Sequence, residues 1–195
     1  MQHIVFIIPP ANFRDEEILI PAEILGKVPL HIDIASTARK MVKGVKGKLL
    51  KSTLTLEELN VDMYDAVVVV GGPGTKKFLW GYKPLLVFLQ NAHRQHKLIC
   101  GICAGSVVLA HAGILKDMAA TTFDSEEYIK ELRKGGAQYD ATDVVWTGDI
   151  ITASGPQAAE KFGQEIRHAL EIRSYAEKKV HESISIPLAT PFNDV

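Results

Sequence analysis

Cysteine is scarce in this chain, and its scarcity limits the thiol chemistry available. Two cysteines among 195 residues exclude a scaffold held by several disulfides and predict a reducing compartment, the cytoplasm. Both cysteines lie in one stretch, "LICGICAGSVVLAHAG" at 98–113, three positions apart. Redox motifs and the halves of many zinc sites have the same C-x-x-C spacing, so the first question is whether the two thiols act as a pair.

Long apolar runs and an excess of one charge are also absent. Apolar runs such as residues 66–70 are much too short to cross a bilayer. The start, "MQHIVFIIPP", has neither the basic segment nor the cleavage site of a signal peptide. The formal net charge is −1, and the lysines and arginines look scattered along the chain. We therefore expect neither a nucleic acid nor a membrane as partner, and a small molecule as ligand.

Short β-branched runs alternate with longer helical patterns. The predicted strands are 3–8, 31–35, 66–70 and 98–102, with a small β-excursion at 42–56 and a hairpin at 144–153 that turns at 148–149. The predicted helices are 16–26, with Asp15 as N-cap, 83–96, 104–112, 125–134 and 158–179. This order predicts a mostly parallel sheet covered by helices on both faces, with functional groups beyond the carboxyl ends of the strands.

Residues 1–175 are expected to form one α/β domain, and residues 176–195 a C-terminal extension. The extension consists of the end of the last helix and a proline-containing segment, "HESISIPLATPFNDV". We expect this segment to be non-helical, and to be either a disordered tail or an arm that packs on another subunit. The sequence favours neither of these two alternatives.

The two cysteines are not expected to act as a pair. Extended chain would separate the Cα atoms of Cys100 and Cys103 by roughly 10 Å, whereas a disulfide needs less than about 7 Å. An odd separation in a strand also predicts side chains on opposite faces. Zinc would need two more ligands, and the closest histidine pair, His93 and His96, is predicted on a solvated helix face. We therefore expect no metal, and we interpret Cys100 as strand packing.

Cys103 has a different local context, that of a nucleophile elbow. Gly101, Ala104 and Gly105 supply the small neighbours that a sharp strand-to-helix turn requires. The N-terminus of the following helix would stabilise a thiolate. A strand-end cysteine is more often a small buried hydrophobe, but a second glycine-rich strand end at 71–74 is expected to lie alongside and favours a site.

The segment "GGPG" at 71–74 could supply backbone donors to that site. The N–H groups of Gly72 and Ala104 would form a two-donor oxyanion hole. The segment does not match the dinucleotide fingerprint G-x-G-x-x-G, so we expect no nucleotide cofactor.

Three separated motifs then resemble a known family. "ANFRDEEILIPAEIL", "AVVVVGGPGTKKFL" and "LICGICAGSVVLAHAGILKDMAATTF" look like the ThiJ/PfpI superfamily, which shares the class I glutamine amidotransferase-like fold, and most like its Parkinson-disease protein deglycase branch. The resemblance implies a flavodoxin-like three-layer sandwich, commonly a homodimer, that acts on small reactive carbonyls. It also assigns Glu17, four residues before Pro21, as the carboxyl partner of Cys103.

The chain departs from the family patterns at the positions of their histidines. The deglycase branch has a histidine where Phe123 stands here, and the protease-like branch has one where Ala104 stands. The H-x-E of amidotransferases is absent, so proteolysis and glutamine hydrolysis are disfavoured. His111 is expected to have a core or surface role.

The leading hypothesis is a glyoxalase- or deglycase-like enzyme with Cys103 as nucleophile and Glu17 as proton shuttle. Two alternatives stay open. One is an oxidative-stress sensor or chaperone that uses an oxidisable Cys103. The other is a hydrolase or hydratase of a small substrate. In either enzyme, Gly71, Phe123 and Ser154 would line the pocket, together with Trp80.

Overall fold

The chain folds into a central sheet between two layers of helices. The computed structural model describes residues 1–184, and their side chains as far as residue 180. The strands are β1 (Gln2–Ile7), β2 (Leu30–Ser36), β3 (Met41–Lys43), β4 (Leu49–Lys51), β5 (Leu54–Thr55), β6 (Ala66–Val69), β7 (Leu98–Ile102), β8 (Ala119–Ala120), β9 (Gln138–Tyr139), β10 (Val144–Thr147) and β11 (Ile150–Ala153). The α-helices are α1 (Asp15–Leu25), α2 (Pro73–Phe78), α3 (Lys83–Arg94), α4 (Ala104–His111), α5 (Glu126–Lys134) and α6 (Ala159–Ile184). Short 3₁₀ helices occupy Leu56–Glu58, Val61–Met63 and Pro156–Ala158.

The main sheet confirms the predicted flavodoxin-like α/β sandwich. Its seven strands run in the order β10-β11-β7-β6-β1-β2-β5, and every neighbouring pair except β10–β11 is parallel. β10 and β11 form the predicted hairpin, in which Thr147 pairs with Ile150 across the turn at 148–149. β6 and β7 lie side by side in the centre, so their carboxyl ends open at the same edge.

The two layers of helices follow from the alternation of side chains in buried strands. Val67 and Val69 of β6 pack in the core that α3 and α4 cover, whereas Val68 belongs to the core under α1 and α6. All three valines are completely buried. Burial of each such side chain stabilises the fold by about 1.5–3 kcal/mol, so the central strands anchor the edge where the glycine-rich segments emerge.

The start of α1 differs from the prediction. Arg14, not Asp15, is the N-cap residue, and it makes no side-chain capping bond. The Asp15 carboxylate is buried and accepts hydrogen bonds from the backbone N–H groups of Lys46 and Lys48, each at 2.9 Å. A buried carboxylate is stabilised by such donors, and these two bonds tie the β3–β4 turn to the beginning of α1.

The β3–β4 hairpin also corrects the expectation of scattered cations. Six of the 22 lysines and arginines fall within residues 39–51, and that segment contains no aspartate or glutamate. Arg39 pairs with Glu58, and Lys46 pairs with Glu16 of α1. Positive charge is therefore concentrated on one hairpin that packs beside the start of α1.

The last helix is longer than the sequence pattern predicts. α6 continues to Ile184, so the first four residues of the segment expected to be non-helical extend the helix. The remainder, 185–195, lies outside the described residues, and with it the choice between a tail and an arm. Within the described part of the chain, no helix has the length and apolar character needed to cross a bilayer.

Candidate active site

The turn from β7 into α4 has the geometry of a nucleophile elbow. Cys103 has φ 57° and ψ −122°, a conformation that side-chain-bearing residues seldom adopt and that costs about 1–3 kcal/mol. The Cys103 N–H donates to the carbonyl of Ala153 at 2.9 Å, and the Cys103 carbonyl accepts a hydrogen bond from the Thr122 hydroxyl at 2.8 Å. Hydrogen bonds on both sides therefore hold the strained residue at the end of the strand.

Close packing of α4 on the sheet explains why position 105, two residues after the cysteine, is a glycine. A Cβ on Gly105 would lie 2.1 Å from the carbonyl oxygen of Val69 in β6. A larger residue would push the first turn of α4 away from β6, and the Cys103 side chain would move with it. The glycine of the elbow motif is thus required by the neighbouring strand.

The backbone N–H groups of Gly72 and Ala104 lie near enough to the Cys103 thiol to lower its pKa. These are the two groups predicted to form an oxyanion hole, and in the structure both converge on the nucleophile. The Cys103 residue is 8 % exposed, whereas Cys100 is completely buried. A donor pair directed at the sulfur favours negative charge on the sulfur, and on any oxygen that a bound carbonyl places beside it.

Glu17 lies beside this cysteine with its carboxyl group buried. Its Oε2 atom accepts a hydrogen bond from the Gly71 N–H at 2.8 Å, and its side chain also interacts with Cys103. Burial raises the pKa of Glu17 to about 8, although the Gly71 donor, Cys103 and the nearby Arg14 guanidinium oppose the shift. Glu17 is consequently protonated at neutral pH and has a proton to give.

Gly71 permits the close approach of these two groups. A Cβ at this position would lie 2.6 Å from Glu17 Oε2 and 2.7 Å from Cys103 Cβ. Any side chain on residue 71 would therefore force the carboxyl and the cysteine apart. The predicted pocket residue Gly71 is better described as the residue that lets Glu17 and Cys103 lie side by side.

From the sequence, the N-terminus of α4 is expected to stabilise a thiolate at Cys103, but the surroundings of the thiol raise its pKa. Burial raises the pKa of Cys103, and an ionised Glu17 would raise it further, while the Ala104 and Gly72 N–H groups lower it. Because Glu17 is neutral below about pH 8, the repulsion between the two anions is absent at neutral pH. The protonation state of the carboxyl thus controls how readily the thiol ionises.

An aromatic wall of Trp80, Phe123 and Tyr128 flanks the elbow. The Trp80 indole N–H donates to the carbonyl of Ala104 at 2.9 Å. The Tyr128 ring meets those of Trp80 and Phe123 edge-on, with centroid distances of 5.1 and 5.7 Å. Phe123 is 38 % exposed, so it forms the outer part of this wall.

Ser154 and His111 make their polar contacts with residues other than Cys103. Ser154 is nearly buried and makes contacts with Asp143 and Gln157: its N–H donates to the Asp143 carbonyl at 2.9 Å, and its hydroxyl lies 3.4 Å from both side chains. His111 Nδ1 bonds to the Trp80 carbonyl at 2.9 Å, and its Nε2 bonds to Glu131 at 3.0 Å. His111 thus supports the aromatic wall from behind, in agreement with the expected structural role.

The sequence analysis missed two contributors to the site. Tyr128 sits on an amphipathic helix where an aromatic residue has no distinguishing pattern, and Thr122 reaches the Cys103 carbonyl across 19 positions of sequence. Arg14 also acts on this site, because its charge lowers the pKa of Glu17. Hydrophobic periodicity carries no signal for any of these contacts.

The fold and this elbow define a class of protein, and comparison with known sequences names it. Residues 2–169 match the model of the DJ-1/PfpI family, and the chain belongs to that family. The match covers the sheet, the elbow and Glu17. It ends within α6.

Individual relatives agree with the family assignment. The chain is 38% identical over 168 residues to an uncharacterized protein of Methanocaldococcus jannaschii, covering 86% of this chain and 82% of the relative. It is 26% identical, over 86% of this chain and 88% of the relative, to the glutathione-independent glyoxalase DJR-1.2 of Caenorhabditis elegans. Among solved structures, a ThiJ/PfpI domain protein from Brachyspira murdochii superposes with a TM-score of 0.83 at 28% identity, over 87% of this chain and 96% of that one.

Proposed function

We propose that this protein is a cysteine-dependent enzyme that acts on small reactive carbonyls, in the manner of glyoxalases and deglycases. The observation that carries the proposal is the pairing of Cys103 with a buried carboxyl whose pKa is raised to about 8. A carboxyl with its pKa near the working pH is suited to give and take protons. The similarity to a relative named as a glyoxalase supports the same class of substrate.

The first step is addition of the Cys103 sulfur to the aldehyde carbon of a 2-oxoaldehyde. The Cys103 thiol first releases its proton to solvent water, and the S–C bond then forms from the thiolate. The C=O π pair moves to oxygen, and that oxygen takes the proton of Glu17 to give a hemithioacetal. The Gly72 and Ala104 N–H groups, which face the sulfur, are close enough to stabilise the charge on this oxygen. Glu17 is left as a carboxylate.

The second step moves hydrogen between the two carbonyl carbons. The Glu17 carboxylate removes the proton from the hemithioacetal carbon, the electron pair forms a C=C bond, and Glu17 returns that proton to the oxygen of the adjacent carbonyl to give an enediol. Glu17 then moves the proton of the first hydroxyl to the second carbon, which gives a thioester. Water, whose proton passes to Glu17, displaces the sulfur as a thiolate and releases a 2-hydroxy acid, and the thiolate takes a proton from solvent water to regenerate the thiol. The sum is addition of one water to the dicarbonyl, with no external oxidant or reductant.

The same site would release a sugar-derived carbonyl adduct from an amine, which is the deglycase form of the reaction. Addition of the sulfur to the carbonyl-derived carbon would displace the amine, and Glu17 would protonate it as it leaves. Both forms need the same pair of residues. Methylglyoxal is therefore the appropriate first substrate.

The decisive experiment compares the two cysteines. The Cys103→Ser variant is expected to lose at least about 10³-fold in kcat/KM for methylglyoxal, because a hydroxyl is a far weaker nucleophile at neutral pH. The matched Cys100→Ala variant should retain most of the wild-type activity. The measurement is formation of lactate by enzymatic assay, with circular dichroism to verify the fold of each variant. Undiminished turnover by Cys103→Ser would overturn the proposal.

A further inference from the structure

The Tyr128 side chain is held firmly between the elbow and the outer part of the pocket. Its ring packs edge-on against Trp80 with an interplanar angle of 70° and against Phe123 with one of 63°. Trp80 is in turn bonded to the Ala104 carbonyl, directly after the nucleophile. Tyr128 also packs against the hydrophobic core that contains Cys103 and Ala104.

The Tyr128 side chain lies within range of the charges at Cys103 and Glu17, and its ring packs on Trp80 and Phe123 beside the elbow. Burial raises the pKa of Tyr128 to about 12, and negative charge on Cys103, Glu127 or Glu17 adds to the shift. The hydroxyl therefore keeps its proton at neutral pH and is a hydrogen-bond donor. Among the described residues, it makes no hydrogen bond to a protein acceptor, so the proton is available to a bound molecule.

The proposed reaction needs a hydrogen-bond donor for the second carbonyl oxygen of the substrate, and the elbow does not supply one. The two backbone N–H groups face the sulfur and serve the oxygen formed in the first step. The second carbonyl oxygen gains negative charge when the enediolate forms, and position 123, where the deglycase branch has a histidine, is Phe123 here. A pocket with nothing to stabilise that second oxygen would make the enediolate step slow.

We propose that Tyr128 is a catalytic residue whose hydroxyl donates a hydrogen bond to the second carbonyl oxygen of a bound dicarbonyl. This inference rests on the proposed function. In the step concerned, the C–H bond of the hemithioacetal carbon breaks, its proton passes to the Glu17 carboxylate, and its electron pair forms the C=C bond. The displaced C=O electrons settle on the oxygen that Tyr128 contacts, while Tyr128 keeps its own proton.

The role assigned to Tyr128 concerns only substrates with two adjacent carbonyls. A monoaldehyde can add to the thiol but has no second carbonyl and cannot form the enediol, whatever residue stands at position 128. The contribution of Tyr128 is therefore expected in the rate of turnover of 2-oxoaldehydes.

The test uses Tyr128→Phe, which keeps the ring and its packing and removes the hydroxyl. For methylglyoxal, we expect kcat to fall by about 10²-fold, the typical effect of losing one donor to a developing oxyanion, with little change in KM. Tyr139→Phe is the matched control, since Tyr139 lies on β9 next to Arg133. The rate of Cys103 alkylation by iodoacetamide should be the same in both variants and in wild type.

The possible results separate this inference from the proposed function. Full kcat in Tyr128→Phe, with an active wild type, would overturn the role of Tyr128 and leave the proposed function standing. A parallel loss of kcat and of alkylation rate would also overturn it, because it would show a structural disturbance of the elbow. Absence of any turnover in the wild-type protein would reject both proposals.

Discussion

Cys100 and Cys103 are three residues apart and yet occupy opposite chemical environments. Burial raises the pKa of both thiols, but Cys100 lies within β7 and is completely buried. Cys103 is at the elbow, with a strained backbone, two N–H donors and a carboxyl as neighbours. The difference between the two thiols arises at the end of the strand, where the backbone leaves the sheet and its polar groups become free.

The same comparison corrects one of our expectations. An odd separation in a strand predicts opposite faces, but both cysteines pack in the core under α1 and α6. The positive φ of Cys103 takes it out of the strand's alternation. Both thiols are free, so the conclusion that they do not form a disulfide agrees with the structure, although the argument from alternation was wrong.

The largest expected difference between the two thiols is in their rate of oxidation. With mild hydrogen peroxide, Cys103 should gain oxygen at least about 10³-fold faster than Cys100, because Cys100 is reached only when the fold opens. Peptide mapping by mass spectrometry measures each site and distinguishes it from methionine sulfoxide. The Cys103→Ser variant is the control and should show no rapid thiol oxidation. Equal, slow rates at both sites would contradict an activated Cys103.

Replacement of the ionisable Glu17 should affect Cys103 and leave Cys100 unchanged. Glu17→Gln keeps an acceptor for the Gly71 N–H and abolishes the titration. Since the pKa of Glu17 is raised to about 8 in the folded protein, its neutral form stabilises the fold fully below about pH 4.5. That stabilisation is lost as the pH rises through 8.

The free energy of unfolding measures this effect. Between pH 5 and pH 8.5, wild type should lose on the order of 4 kcal/mol relative to Glu17→Gln, as measured by urea unfolding at each pH. The variant should also lose about 10²-fold or more in kcat, because it cannot exchange protons. Parallel pH profiles in the two proteins would show that Glu17 is ionised in the fold and would remove it from the mechanism.

Substitution of Cys100 should have the smallest effect, and a purely structural one. Cys100→Ala removes a sulfur atom from a well-packed layer and should cost about 1–2 kcal/mol of stability. Thermal unfolding measures that cost, and kcat for methylglyoxal should stay within about twofold of wild type. A large loss of activity without loss of stability would mean that Cys100 also contributes to the reaction.

Much of the fold was predictable because it depends on local periodicity. Buried parallel strands need apolar runs such as 66–70, and the β10–β11 hairpin needs a tight turn at Gly148 and Asp149, so both leave a clear pattern. The C-terminal end of α6 was less predictable because helix ends depend on caps and contacts more than on periodicity. The homodimer and the boundary of the domain near residue 175 stay predictions.

Local sequence patterns predicted the alternation of strands and helices and the elbow around Cys103, and the family resemblance assigned Glu17, four residues before Pro21, as the partner of Cys103. These features are encoded in neighbouring residues or in a fixed spacing. The tertiary structure alone decided that Glu17 is protonated, that Gly72 and Ala104 direct their N–H groups at the sulfur, and that Tyr128 completes the wall. Burial and donor direction are set by segments far apart in the chain, and no local pattern records which of them will meet.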